Sequence, residues 1–217
     1  VGFCVHSKPD RLPDIWPEAK YVHLQRDPRD VARSCIGMGW VGTVFHGVQY
    51  WLESERWIEQ LRARVSPERV LTVRFEDLVR DPEAELTRVC EFLGHRYDPA
   101  MLAIDGDTTY LRPDAKLAEQ WRHKLTQREM ELVEWRCGDA MTARGYQRCF
   151  DKPRGPKPIE TAMLRAQNRW NRSRFRVERY GLALTLGWAA AKRMPGTNSL
   201  RRQLKRSIDE IDTANLK

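Results

Sequence analysis

Residues 20–34, KYVHLQRDPRDVARS, decide the fold class, because a short apolar run breaks into a charged turn and then into a helix. Tyr21, Val22, His23 and Leu24 make a run too short for a helix and rich in aromatic, β-branched or apolar side chains, which predicts a buried strand. Asp27 is placed to cap the following helix through its carboxylate. Pro28 suits the first helical position, where its fixed φ is already helical and its missing N–H is not needed. Arg26 therefore stands at the strand's end, over the crevice where such junctions in α/β sheets aim free backbone N–H groups and a positive dipole end at anions. Ser34 lies two turns into the helix. Together the two can grip one phosphate, the guanidinium as a bidentate clamp and the hydroxyl as a further donor. The competing reading pairs Arg26 with Asp27, Asp30 or another surface carboxylate.

Outward from this stretch, residues 69–75, RVLTVRF, alternate and predict a second buried strand. Glu76 and Asp77 sit where carboxylates satisfy the backbone N–H groups of a strand-to-helix corner. Asp81 and Pro82 then open a helix that runs to Leu93 and ends at Gly94. Between the two strands, Val44, Val48, Trp51, Ile58 and Leu61 recur at helical spacing, with Trp51 and Trp57 on different faces. Ahead of the first strand, Pro9, Pro13 and Pro17 confine any helix to a short piece around Leu12–Trp16. Residues 97–117 have loop composition. Thr126 and Glu129 form a capping box for a helix reaching about Ala143, before Gly145.

The 217 residues carry a net charge of +8, but its location matters more than its size. Residues 1–151 hold 22 Lys and Arg against 25 Asp and Glu, whereas residues 152–206 hold 15 against 2. The basicity belongs to the tail. The sequence divides accordingly into a domain over 1–150, a linker over 151–158 (DKPRGPKP) and a basic amphipathic helical tail over 159–217. In that tail Ile159, Met163, Ala166, Trp170, Val177, Tyr180, Leu184 and Ala191 recur at three and four, and Gly181, Gly187 and Pro195 weaken or end the helix. It either packs on the domain through its apolar stripe or lies on an anionic membrane with its arginines at lipid phosphates. The five cysteines are scattered, with no CxxC pair and no histidine placed to complete a zinc site. This predicts free thiols, a reducing cytoplasmic setting and no metal. No run is long enough to span a bilayer.

RDPRDVARS resembles the 3′-phosphate-binding segment of sulfotransferases that use 3′-phosphoadenosine 5′-phosphosulfate. VRFEDLVRDPEAELTRVCEFLGH at 73–95 resembles the family's downstream strand, turn and helix. QWRHKLTQREMELVEWRCGDAMTARGY at 120–146 resembles the closing helix of bacterial members. Three blocks in order make a specific match. The resemblance implies an α/β fold with a central parallel sheet of the P-loop-like sulfotransferase kind, and a long C-terminal amphipathic helix beyond it. It implies sulfuryl transfer from that nucleotide co-substrate to a hydroxyl or amine acceptor, without a metal.

On the same footing, Arg26 and Ser34 would hold the 3′-phosphate, and Phe75 stands where the family usually has a tyrosine against the adenine. Lys116, Arg122 or Lys124 would supply the basic residue of a loop over the nucleotide, with Trp121 as a wall. His6 and Lys8 occupy the stretch that carries the catalytic Lys and His in cytosolic members, in a different order. Residues 44–65 would lie near the acceptor. The Gly-rich loop for the 5′-phosphosulfate is not in these residues. The resemblance therefore implies an N-terminally truncated segment, inactive by itself, with that loop upstream. A nucleotide kinase is the competing enzyme, but GxxxxGK[ST] is absent. The competing non-enzyme is a basic module that binds anionic lipid or nucleic acid through the tail; for the sulfotransferase no nucleic-acid partner is expected.

Overall fold

The computed structural model describes residues 2–5, 7–103, 112–194 and 196–215. Strand β1, Tyr21–Gln25, and strand β2, Val70–Arg74, pair in parallel, with Tyr21 opposite Val70 and Gln25 opposite Arg74. Parallel neighbours need a long crossover. Here helices α2 (Pro28–Gly37) and α3 (Val44–Arg62) supply it, after a short α1 (Leu12–Ile15) ahead of β1. Beyond β2 follow α4 (Phe75–Arg80), α5 (Pro82–Leu93), α6 (Trp121–Lys124), α7 (Gln127–Cys137), α8 (Asp139–Ala143), α9 (Pro158–Arg193) and α10 (Asn198–Ala214). The result is a mostly helical α/β arrangement around a small parallel sheet, with the expected long helix near the C-terminus.

Two strand readings need correction. β1 is buried on one face only: Tyr21, His23 and Gln25 point inward, while Val22 and Leu24 are 44% and 54% exposed. Side chains alternate across a strand, and the described helices cover a single face of this sheet. β2 also stops at Arg74, and Phe75 already opens α4.

Helix α3 is the beam on which both halves of the core rest. Its first half packs Val44, Val48 and Trp51 against Ala32 of α2, Val133 and Cys137 of α7, and Met141 of α8. Its second half packs Ile58 and Leu61 against Tyr21 and Val70 of the sheet. Trp57 lies off this face and is only half-buried. The crossing with α2 depends on Gly47, where a Cβ would stand 2.3 Å from the Ala32 carbonyl oxygen.

The capping box at Thr126 and Glu129 is present, as are the Asp81 cap, the Pro82 start and the Gly94 end of α5. The helix expected from Thr126 to about Ala143 is instead two, broken at Gly138, whose φ of 53° and ψ of −139° are not helical.

The first half of α9 packs on the domain rather than standing free. The Gly42 N–H donates to Asn168 Oδ1 at 2.6 Å, and Asn171 Nδ2 donates back to the Gly42 carbonyl at 2.8 Å. Arg128 reaches Glu160 at 2.6 Å. At Gly181, φ 78° and ψ 159° break the helical path, a conformation open to glycine without a Cβ penalty. On both sides of the break the chain pairs with α10: Tyr180 donates to Asp212 Oδ1 at 2.9 Å, Arg201 Nε donates to the Ala191 carbonyl at 2.7 Å, and Ala191 is buried.

Candidate functional site

The turn between β1 and α2 is built as its residues predict. Asp27 accepts the Arg29 N–H at 2.9 Å, and Pro28 occupies the first helical position. The unpredicted part lies beneath it. Arg29, 3% exposed, donates from Nε and Nη2 to both oxygens of Asp27 at 2.9 and 2.6 Å, and from Nη1 to Glu134 Oε1 at 2.8 Å. Its guanidinium lies 3.5 Å from the Trp121 ring centroid. Glu134 is fully buried and also accepts the N–H groups of Cys149 and Phe150. Glu76 accepts the Asp27 N–H at 2.9 Å and the Tyr146 hydroxyl at 3.2 Å. Buried charges persist only when paired and hydrogen-bonded in this way. Burial opposes the charge of Arg29, yet the Asp27 contacts outweigh it and hold its pKa above the usual value.

Above this buried network sits Arg26, a quarter exposed. Its guanidinium lies 4.1 Å from the Phe75 ring centroid, and Nη2 donates to the Leu117 carbonyl at 3.2 Å. The Arg26 carbonyl accepts the Trp51 indole N–H at 2.9 Å, so a core residue of α3 fixes the backbone of the turn. Asp30 lies 4.0 Å from Arg26 and accepts the Trp121 N–H at 2.8 Å. Burial pushes the Asp30 carboxyl up, and Arg26 and the Trp121 amide pull against that. Three polar atoms around this spot are buried without a hydrogen-bond partner: Arg26 Nε, Asp30 Oδ2 and Trp121 Nε1. Buried polar atoms of this kind take their hydrogen bonds from water or from a bound polar group.

Ser34 is exposed on α2, one turn beyond Asp30 at the i,i+4 position and so on the same side of that helix. Phe75 is held against Arg26. Lys116 is exposed, with its backbone N–H capped by Asp114, and it precedes the Leu117 carbonyl that holds Arg26. Arg122 lies 4.4 Å from the Trp121 ring centroid and donates to Glu119. The structure thus gathers Arg26, Phe75 and the 116–122 segment, with Ser34 along the same helix.

It does not bring Lys8 to them. Lys8 starts the turn of residues 9–11, which packs at the far end of α3, where Arg64 bonds Asp10 and Asp14. From Trp51 to Arg64 is about 20 Å at 1.5 Å per residue. His6 lies outside the described residues. Among the described residues no group of His, Cys, Asp and Glu could hold a metal ion, and no helix is long and apolar enough to cross a membrane.

Arg29 and Glu134 were not legible as site residues; the signal for Arg29 was its place beside Asp27 in RDPRD. Glu76 was legible as a carboxylate for a strand-to-helix corner, but the N–H it accepts is that of Asp27, at the corner of the other strand.

Residues 6–99 match the model of the sulfotransferase family. Over 164 residues the chain is 26% identical to an omega-hydroxy-beta-dihydromenaquinone-9 sulfotransferase, Stf3, of Mycobacterium tuberculosis, an alignment covering 68% of this chain. Over residues 6–99, less than half of its length, this chain is similar to the sulfotransferase family. It is also 27% identical to human carbohydrate sulfotransferase 5, over 59% of its length. It spans 40% of the length of each of these relatives. A solved sulfotransferase domain from the Synechococcus PCC 7002 olefin synthase is 30% identical, with a TM-score of 0.48 over 61% of this chain and 55% of that one. The segment matched by the family model contains the whole β1–α2 turn, Ser34 and Phe75.

Proposed function

We propose that this chain forms the 3′-phosphate side of the donor site in a sulfotransferase that uses 3′-phosphoadenosine 5′-phosphosulfate. The observation that carries the reading is Arg26: a guanidinium at the carboxyl end of a parallel strand, braced by Phe75 and the Leu117 carbonyl, with Nε buried and unpartnered. Arg26 and Ser34 would hold the 3′-phosphate. Phe75 would give the adenine an apolar surface without a hydroxyl, and Lys116 and Arg122 would close over the nucleotide. When bound, the donor supplies an activated sulfuryl group. Its sulfur–oxygen bond to the 5′-phosphate breaks as a bond to the acceptor oxygen or nitrogen forms, and the acceptor's proton leaves to a base. Such transfer asks the protein chiefly for positioning and cationic stabilisation. The acceptor class best supported is a hydroxyl compound, since the named relatives act on an omega-hydroxy menaquinone and on carbohydrate.

Calorimetric titration with 3′-phosphoadenosine 5′-phosphate tests the reading. Saturable binding that is lost when the 3′-phosphate is removed is expected. Equal binding of both nucleotides overturns the assignment.

A second reading, contact with an anionic membrane, is favoured by one feature of α9. Ile159, Met163 and Trp170 are 78%, 66% and 70% exposed, on a face other than the one carrying Asn168 and Asn171. Co-sedimentation with phosphatidylglycerol vesicles, compared with Trp170→Ser, tests it; capture unchanged by the substitution would rule it out.

A further inference from the structure

We propose that the groove between the first turn of α3 and helix α9 binds a phosphate or sulfate ester, through Arg136, Arg165, Arg169 and Arg172. A cavity of about 440 Å³ is lined by Phe45, His46, Trp135, Arg136, Thr161 and Arg165. A second, of about 310 Å³, shares His46 and Arg165 and continues past Arg169, Arg172 and Arg176. Among the described residues no carboxylate lines either one.

Four arginines of α9, Arg165, Arg169, Arg172 and Arg176, recur at four, three and four, which puts them on one side of the helix over about 16 Å. Among the described residues none of them has a carboxylate within 4.0 Å, whereas Arg174, on another face, pairs with Glu178 at 3.3 Å. Arg172 Nε is buried without a hydrogen-bond partner. Arg136 reaches the groove from α7 in a fixed orientation: it donates to the Phe45 carbonyl and, at 2.8 Å, to Gln49 Oε1, and lies 4.7 Å from the Phe45 ring centroid. Arg136 and Arg165 share the first cavity, and Arg165, Arg169, Arg172 and Arg176 share the second; such neighbouring guanidiniums repel one another, and a tetrahedral oxyanion removes that cost while using their paired N–H geometry.

His46 reports on the same field. Its imidazole lies 2.7 Å from the Thr43 hydroxyl, and burial, then Arg136, Arg165 and Arg172, pull its pKa below the usual value. An anion seated among those arginines opposes that pull. The inference stands apart from the sulfuryl-transfer reading, since it needs only the groove and its charges.

The test is calorimetric titration of the chain with inorganic pyrophosphate and with glucose 6-sulfate, alongside flotation with phosphatidylglycerol vesicles. Wild-type protein is expected to bind at least one of the three saturably. R165Q/R172Q should weaken that binding at least tenfold, while R202Q/R206Q, which removes the same charge from α10, should change it less than twofold. By NMR, the His46 titration midpoint should rise when the anion is added. Binding of pyrophosphate or the sulfate ester without vesicle capture identifies a soluble ligand; vesicle capture that requires Arg165 and Arg172 identifies a lipid headgroup. The absence of binding to all three, or equal losses in the two double variants, overturns the proposal. The single substitution R169Q gives the same readout should the double variant fold poorly.

Discussion

Arg29 Nη1 lies 2.8 Å from Glu134 Oε1, an ion pair between residues 105 positions apart of which neither is more than 3% exposed. It joins the start of α2 to α7. Because the same Arg29 grips Asp27, the pair sets the turn on which Arg26 is mounted.

Glu134→Ala should therefore destabilise the fold strongly. It removes the acceptor for Arg29 Nη1 and for two backbone N–H groups, leaving a buried cation short of a partner, which costs about 3–5 kcal/mol. Urea unfolding at pH 7 measures this. A loss below about 1 kcal/mol would show that the pair is dispensable.

Arg26→Ala should weaken binding of 3′-phosphoadenosine 5′-phosphate by about 2–4 kcal/mol, the loss of a charge-assisted clamp from a partly desolvated position, and Ser34→Ala by about 1. Neither should alter binding of the analogue without a 3′-phosphate. Phe75→Leu, which removes the ring against the Arg26 guanidinium, should cost about 0.5–1 kcal/mol in the same titration.

Acid should unfold the protein partly through Glu131 and Glu55. Arg154 first, and Arg128 with it, hold the Glu131 carboxyl down at about 2, from a usual 4.5. Burial works to raise Glu55, but His23 and Arg144 prevail and hold it low. A depressed carboxylate stabilises the fold above its unfolded pKa and loses that contribution as pH falls through the folded one. Melting temperature should drop between about pH 4.5 and 2, and Glu131→Gln should flatten the drop. Asp30 has the opposite sign: burial raises it, so its penalty is relieved on acidification. An unchanged slope in Glu131→Gln would remove Glu131 from the account.

Gly47→Ala should cost about 3 kcal/mol, since the added methyl meets the Ala32 carbonyl at 2.3 Å and backbone cannot swing away as a side chain can. Gly37→Ala is the comparison, with nothing within 4 Å of its added carbon, and thermal unfolding of the two variants separates close approach from general loss of glycine.

Local chemistry was readable from the chain alone wherever cause and effect lie within a few residues. The Asp27 cap, Pro28 at the first helical position, the Thr126–Glu129 box and the Gly94 end of α5 each depend on a side chain and a backbone group less than a turn apart. The apolar stripe of α3 was equally plain, because burial repeats with the helical period. The exposed face of β1 and the Gly138 break were not, since the first depends on what covers a sheet and a glycine within a helical pattern is compatible with both a continuous helix and a broken one.

The sequence by itself determined that an arginine would stand at the end of a strand, before a capped helix, with a serine two turns on. Only the tertiary structure decided what surrounds that arginine: Phe75 from 49 positions downstream, the Leu117 carbonyl from 91, and beneath them Arg29 joined to Glu134. The same holds for the tail: its spacing suits both a packed helix and a membrane-bound one, and that its Asn168 and Asn171 bond Gly42 is a tertiary contact no spacing encodes. The physical reason is common to all of these. A cap or a helical stripe is set by covalent spacing, whereas pairing between distant charges is set by which surfaces the hydrophobic core brings together, and no short stretch of sequence carries that distance.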